Sequence, residues 1–118
     1  HGAGHVGLGV VNGEGEGTLG YYPDPAAPGN AITGQQGLVR PDDPTQRRGT
    51  IVIRTTPEQD LCVEQCINSR TANPGTYKLR GNNCKDFVHE CLTSCGIPAA
   101  GPPAPWGYFD TLRQIHGQ

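Results

Sequence analysis

Apolar and polar residues change their rhythm along this chain, and the changes mark the elements. Residues 5–11 read His-Val-Gly-Leu-Gly-Val-Val, a short apolar run loosened by glycine, which predicts a strand. Asn12-Gly13 follows, a strong hairpin signal, within a polar turn that lasts to Gly17. Thr18-Leu19-Gly20-Tyr21-Tyr22 predicts the returning strand, stopped by Pro23. From 23 to 49, prolines and glycines interrupt every period. That stretch is expected to be a long irregular excursion, of the kind that often forms a lid or shapes specificity. The β-branched run Thr50-Ile51-Val52-Ile53-Arg54 predicts another strand.

Beyond residue 55 the period lengthens to that of a helix. Thr56 suits an N-cap, Pro57 the first turn, and Gln59 completes a capping box. Leu61, Cys62, Val63, Cys66 and Ile67 give that helix its buried side. Asn73-Pro74-Gly75 is a turn, and residues 76–79 are short and extended. Asn82 or Asn83 caps a second helix reaching about Cys95, with Phe87, Val88, Cys91 and Leu92 on its apolar face. Gly96 is its natural C-cap, with Ile97-Pro98 after it. An extended connector, 98–105, leads to a short terminal element. It is formed by Trp106-Gly107-Tyr108-Phe109 with Leu112 and Ile115, and its aromatics are expected to pack on the core. The expected class is α+β: an antiparallel sheet packed against two antiparallel helices, one domain over 1–118.

Composition adds a constraint. Only 34% of the 118 residues are hydrophobic, and 18 glycines and 11 prolines make the chain loop-rich. So small a core benefits from cross-links. Four of the five cysteines form two pairs of equal spacing, Cys62/Cys66 and Cys91/Cys95, each on one face of a predicted helix. In antiparallel helices the residue numbers of facing partners add to a constant, and Cys62–Cys95 and Cys66–Cys91 satisfy this. Each bridge would contribute roughly 2–4 kcal/mol and would imply an oxidising compartment. Free buried thiols or a structural zinc site are the alternatives for the same four residues. The net charge of −2 and scattered basic residues give no electrostatic case for nucleic acid. No run is long enough to insert stably in a membrane, and no signal peptide is visible. Because the chain opens directly on strand-like sequence, it reads as the last domain of a longer secreted protein.

Cys84 is left without a partner, where the second helix should begin. Free N–H groups and the helix dipole favour a thiolate there, and thiols so placed fall from ~8.5 into the range ~3.5–7.5. A thiolate nucleophile also needs an imidazole to carry its proton. Of the four histidines, His1 and His116 are at the ends and His89 points to another face of the same helix, so His5 is the best base. The N–H of Cys84 plus one neighbour would hold an oxyanion. Each residue also has an ordinary reading. Cys84 could be a buried structural thiol and His5 an edge-strand histidine. A hairpin centred on the 12–17 turn places Tyr22 to Asp24 opposite His5, so Tyr22 and Asp24 are candidates for a third residue. Tyr22 also reads as a packing aromatic, Asp24 as a turn residue, and Asn83 as a helix cap rather than an oxyanion donor.

His5 with its glycine-rich apolar run, then Gly20-Tyr21-Tyr22-Pro23, resembles the first half of a circularly permuted papain-like cysteine hydrolase. Tyr77-Lys78-Leu79, Asn82-Asn83-Cys84-Lys85-Asp86-Phe87-Val88 and Gly96-Ile97-Pro98 resemble its second half. The superfamily includes NlpC-type peptidoglycan hydrolases and, in permuted order, lecithin:retinol acyltransferase-like proteins. The likeness covers about residues 4–98 and is greatest to C-terminal toxin domains of bacterial secreted effectors, such as those delivered by type VI secretion. It implies Cys84 as nucleophile, His5 as base, no cofactor and no metal. It implies a cysteine amidase or endopeptidase acting on peptidoglycan peptide or protein in a target periplasm, with a cognate immunity protein as partner. The weighed alternatives are a thiol acyltransferase or thioesterase on lipid or protein, and a non-catalytic, disulfide-stabilised binding module.

Overall fold

The structure, a computed structural model, describes residues 5–10, 17–43, 45, 49–99 and 105–117, with Pro105 and Trp106 described by backbone alone. Its strands are β1 (Gly7–Leu8), β2 (Leu19–Pro23), β3 (Gly29–Asn30), β4 (Gly34–Pro41) and β5 (Thr76–Tyr77). Its helices are α1 (Pro57–Ala72), α2 (Cys84–Thr93) and α3 (Pro105–Ile115). The sheet is antiparallel in the order β1-β2-β4-β3, and β5 pairs with the other edge of β4 at Gln35 and Gln36.

The predicted hairpin is present as β1 and β2, with Gly7 opposite Gly20 and Leu8 opposite Leu19. Its first strand is shorter than the 5–11 run, and the 12–16 part of its turn lies outside the described residues. The long excursion expected over 23–49 is overturned. It supplies β3 and also β4, the strand that holds the sheet together. Two glycines and two glutamines hide β4 from propensity, and its sheet position comes from pairing with β2 over five residues. The strand predicted at 50–54 is also corrected. That segment alternates half-buried Ile51 and Ile53 with exposed Val52 and Arg54, yet it adds no strand to the described sheet. Its two isoleucines pack against the core instead.

α1 begins as predicted. Thr56 Oγ1 accepts from Gln59 N–H, Gln59 Oε1 accepts from Thr56 N–H, and Pro57 occupies the first turn. Val63 and Ile67 are buried, but Leu61 is 55% exposed, so the apolar stripe of α1 is narrower than the sequence implied. α2 is capped by Asn83. At its end Gly96 takes φ +74°, Ile97 N–H reaches Leu92 O at 3.0 Å, and Gly96 N–H reaches Thr93 O at 3.1 Å. Both predicted bridges form between these helices, Cys62–Cys95 with Cα atoms 5.7 Å apart and Cys66–Cys91 at 5.5 Å. This excludes free thiols and zinc for those four residues.

Two helices were expected and three are present. The terminal element is a full helix, α3, whose Tyr108 and Leu112 are buried while Ile115 is exposed. The core lies between one face of the sheet (Val6, Tyr21, Val39, Tyr77) and the helices (Val63, Ile67, Phe87, Val88, Cys91, Leu92, Tyr108, Leu112). Each fully buried Val, Leu, Ile or Phe contributes about 1.5–3 kcal/mol. The Tyr21 ring packs 5.4 Å from Tyr77 and 6.1 Å from Phe87, centroid to centroid. Gly37 makes room for it, because a Cβ there would lie 2.2 Å from the Tyr21 hydroxyl. This packing sets the start of α2 against the β1–β2 end of the sheet.

Candidate active site

Asn83 fixes where Cys84 stands. Its Oδ1 accepts from Lys85 N–H at 2.9 Å and Asp86 N–H at 3.2 Å, and the Asp86 carboxylate in turn accepts from Asn83 N–H at 3.0 Å. Asn83 Nδ2 donates to Leu79 O at 2.7 Å, which ties the cap to the preceding turn. Asn83 is thus built into the cap, buried to 1% exposure. Cys84 follows as the first residue of α2, the one free cysteine among the described residues and itself 1% exposed. Asn83 takes the Lys85 and Asp86 N–H groups through Oδ1 and Phe87 N–H through its carbonyl, so these N–H groups serve the cap.

His5 sits in the segment leading into β1, near enough to Cys84 for that side chain to act on the ring's protonation. Nε2 of the same ring is 2.8 Å from Asp42 Oδ1. Asp42 comes directly after β4. Its N–H donates to Thr18 O at 2.9 Å, and its Oδ2 accepts from Thr18 Oγ1 at 2.7 Å. The Tyr22 hydroxyl also donates to Asp42 Oδ1. The carboxylate is therefore anchored from two strands and accepts three side-chain hydrogen bonds.

Two glycines clear the space for this contact. A Cβ on Gly20 would stand 2.3 Å from Asp42 Oδ1 and 2.5 Å from His5 Nε2, and one on Gly7 would stand 1.8 Å from Asp42 Oδ2. Gly7 and Gly20 are opposite each other in the β1–β2 register, so they leave one shared hollow. No family model, curated protein or solved structure matches the chain.

The electrostatics follow from this line of partners. Burial alone would push the His5 imidazolium down. The Asp42 carboxylate and the Cys84 sulfur outweigh it and raise His5 to about 9. Burial would likewise raise Asp42, but the bonds from His5, Tyr22 and Thr18 hold it below the ordinary carboxylate value. Burial and the Asp42 carboxylate push Tyr22 well above a normal phenol, so its hydroxyl stays a donor. At neutral pH His5 is an imidazolium whose charge is balanced by Asp42.

Of the residues read from the sequence, Cys84 and His5 are brought together. Tyr22 joins them: its ring stacks on His5 with centroids 4.5 Å apart and planes 22° apart, and its hydroxyl reaches Asp42 rather than His5. Asp24 does not. Its side-chain bond is within a turn, with Oδ1 accepting from Ala26 N–H at 2.9 Å. His89 is half-buried and pairs Nδ1 with the Tyr108 hydroxyl at 3.1 Å; His116 bonds Pro98 O at 2.8 Å. His1 lies outside the described residues. Asp42 was missed because the segment before it was read as irregular. The visible signal was Leu38-Val39-Arg40, a short β-prone run that delivers Pro41-Asp42 to a sheet end. Among the described residues no group of three His, Cys, Asp or Glu could hold a metal ion.

Proposed function

We propose that this chain is a cysteine hydrolase, an amidase or endopeptidase, with Cys84 as nucleophile, His5 as proton carrier and Asp42 as the residue that orients His5. The observation that carries this reading is the meeting of Cys84, His5 and Asp42, with His5 Nε2 2.8 Å from Asp42 Oδ1 and Cys84 near enough to act on the same ring, drawn from a helix start, a strand lead-in and a strand end. With Nε2 committed to Asp42, Nδ1 is the nitrogen that exchanges a proton with Cys84. The sulfur attacks the amide carbonyl carbon and an S–C bond forms. The C–N bond then breaks and the proton held by His5 goes to the leaving amine. Water next attacks the thioester, His5 takes its proton, and the sulfur leaves. The permuted papain-like architecture that the sequence resembles is part of the same proposal.

The substrate class proposed is bacterial cell-wall peptide, with an immunity protein covering the site in a producing cell. Two disulfides, and no described helix long and apolar enough to cross a membrane, are compatible with a secreted protein working in a periplasm. The near-complete burial of Cys84 favours a second reading, a disulfide-stabilised binding module with an inert thiol.

Expression of the domain in a bacterium, directed to periplasm or to cytoplasm, tests this with Cys84→Ala as control. Lysis only from the periplasm, abolished by the substitution, is expected, and analysis of released muropeptides would name the bond. Toxicity that survives both Cys84→Ala and His5→Ala would overturn the catalytic assignment. Cys84-dependent toxicity from the cytoplasm alone would move the substrate to an intracellular protein or lipid.

A further inference from the structure

Tyr22 is held between two cationic groups that reach it from neighbouring strands. His5, from the β1 side, stacks on the ring at 4.5 Å, and Arg40, from β4, places its guanidinium carbon 3.6 Å from the ring centre. With both against one ring, the Arg40 guanidinium stands within about 8 Å of the His5 ring. Stacking fixes the plane of the guanidinium while leaving its N–H edge available. Arg40 is exposed, its one hydrogen bond is a 3.4 Å contact to Pro41 O, and no carboxylate pairs with it among the described residues. The nearby carboxylate, Asp42, is engaged by His5, Thr18 and Tyr22. An aromatic-mounted arginine with no acidic partner among the described residues, beside a nucleophile–histidine pair, is a ready receptor for an anion of carboxylate shape.

Resting on the hydrolase reading above, we infer that Arg40 recognises a substrate carboxylate close to the scissile amide. The preferred substrates are therefore peptides with a free carboxylate about one residue from the bond that is cut. Tyr22 is the mount that aims Arg40, and it also links that position to His5. Arg40 touches no reacting atom and acts on binding and on which amide is presented.

The test uses muropeptides with free carboxylates and the same muropeptides with those carboxylates converted to amides. The full chain with its disulfides intact is measured in two ways. Hydrolysis is followed with the unsubstituted protein and with Arg40→Gln, and binding is followed calorimetrically with Cys84→Ala and with Cys84→Ala/Arg40→Gln. A charged hydrogen-bonded pair predicts about ten- to hundredfold preference for the free form, carried in KM, and loss of that preference in Arg40→Gln. Circular dichroism and thermal melting establish that Arg40→Gln is folded, and Arg40→Lys should retain only part of the preference. Equal hydrolysis of both forms, or a preference that Arg40→Gln leaves intact, would overturn the inference while leaving the hydrolase reading standing. Carboxylate-selective, Arg40-dependent binding to Cys84→Ala without turnover by the unsubstituted protein would support Arg40 and sink the hydrolase. Neither binding nor turnover of either form would remove both.

Discussion

Replacing Asp42 by Asn keeps the shape of the side chain and removes the charge that holds His5. His5 stands at about 9 against an ordinary 6.5, a difference of on the order of 3 kcal/mol between its two protonation states. Burial opposes that rise, so Asp42 and Cys84 together supply more than the net effect, with the Asp42 bond first among the raising causes. Even if Asp42 supplies only half of the net rise, Asp42→Asn should lower His5 by at least about one pH unit, ~1.4 kcal/mol. Stability should follow with a definite sign. A histidine held above its unfolded value stabilises fully below about 6.5 and loses that contribution as pH climbs through about 9. Asp42, held below its usual 3.8, supplies the acid limit of the same pair, lost as pH falls below that value. The unfolding free energy lost in Asp42→Asn should therefore be greatest near about pH 5–6 and should shrink toward about pH 9–10. Long-range nitrogen–proton spectra of the His5 ring across pH, with denaturant unfolding at both ends of that window, measure this. A folded variant with an unmoved His5 titration, or a stability loss equal at both pH values, would refute the reasoning.

Gly20→Ala should leave the domain folded but force His5 and Asp42 apart, since the new methyl would stand 2.3–2.5 Å from both. A displacement of about an ångström costs on the order of a hundredfold in activity; full activity in a folded Gly20→Ala would contradict the geometry. Thr18→Val removes a donor to a charged acceptor and should cost about 1.5–3 kcal/mol of stability, read by chemical denaturation. Because Cys66–Cys91 is nested inside the Cys62–Cys95 loop, removing one bridge leaves most of the chain constraint in place. Loss of one bridge should thus cost less than half of what loss of both costs; additive single losses would contradict this.

The parts of the fold readable in advance were those with local chemical causes. Thr56, Pro57 and Gln59 announce the start of α1, Gly96 ends α2, and the spacing of four cysteines fixes how the two helices face each other. The first half of β4 was not readable, because Gln35, Gln36 and Gly37 have no strand preference of their own and are strand only through β2, β3 and β5, which left Leu38-Val39-Arg40 as a local signal too short to stand out. The same gap explains the candidate site. Cys84 and His5 could be singled out from a helix start and a histidine count, and Tyr22 from hairpin register. Asp42 is 37 residues from His5 and meets it only through the β2–β4 pairing, which local sequence does not encode. Gly7 and Gly20 read as weak points of two strands, and their use as the hollow for His5 and Asp42 emerges only in three dimensions.

The most direct test of the Cys84–His5–Asp42 assignment is the rate at which iodoacetamide labels the native, oxidised protein, read residue by residue by mass spectrometry. The assignment predicts that Cys84 alone is labelled, and that His5→Ala and Asp42→Asn each slow the labelling by tenfold or more while the fold persists. Labelling of Cys84 only after denaturation, or at a rate indifferent to both substitutions, would contradict it and leave the binding module as the account of this chain.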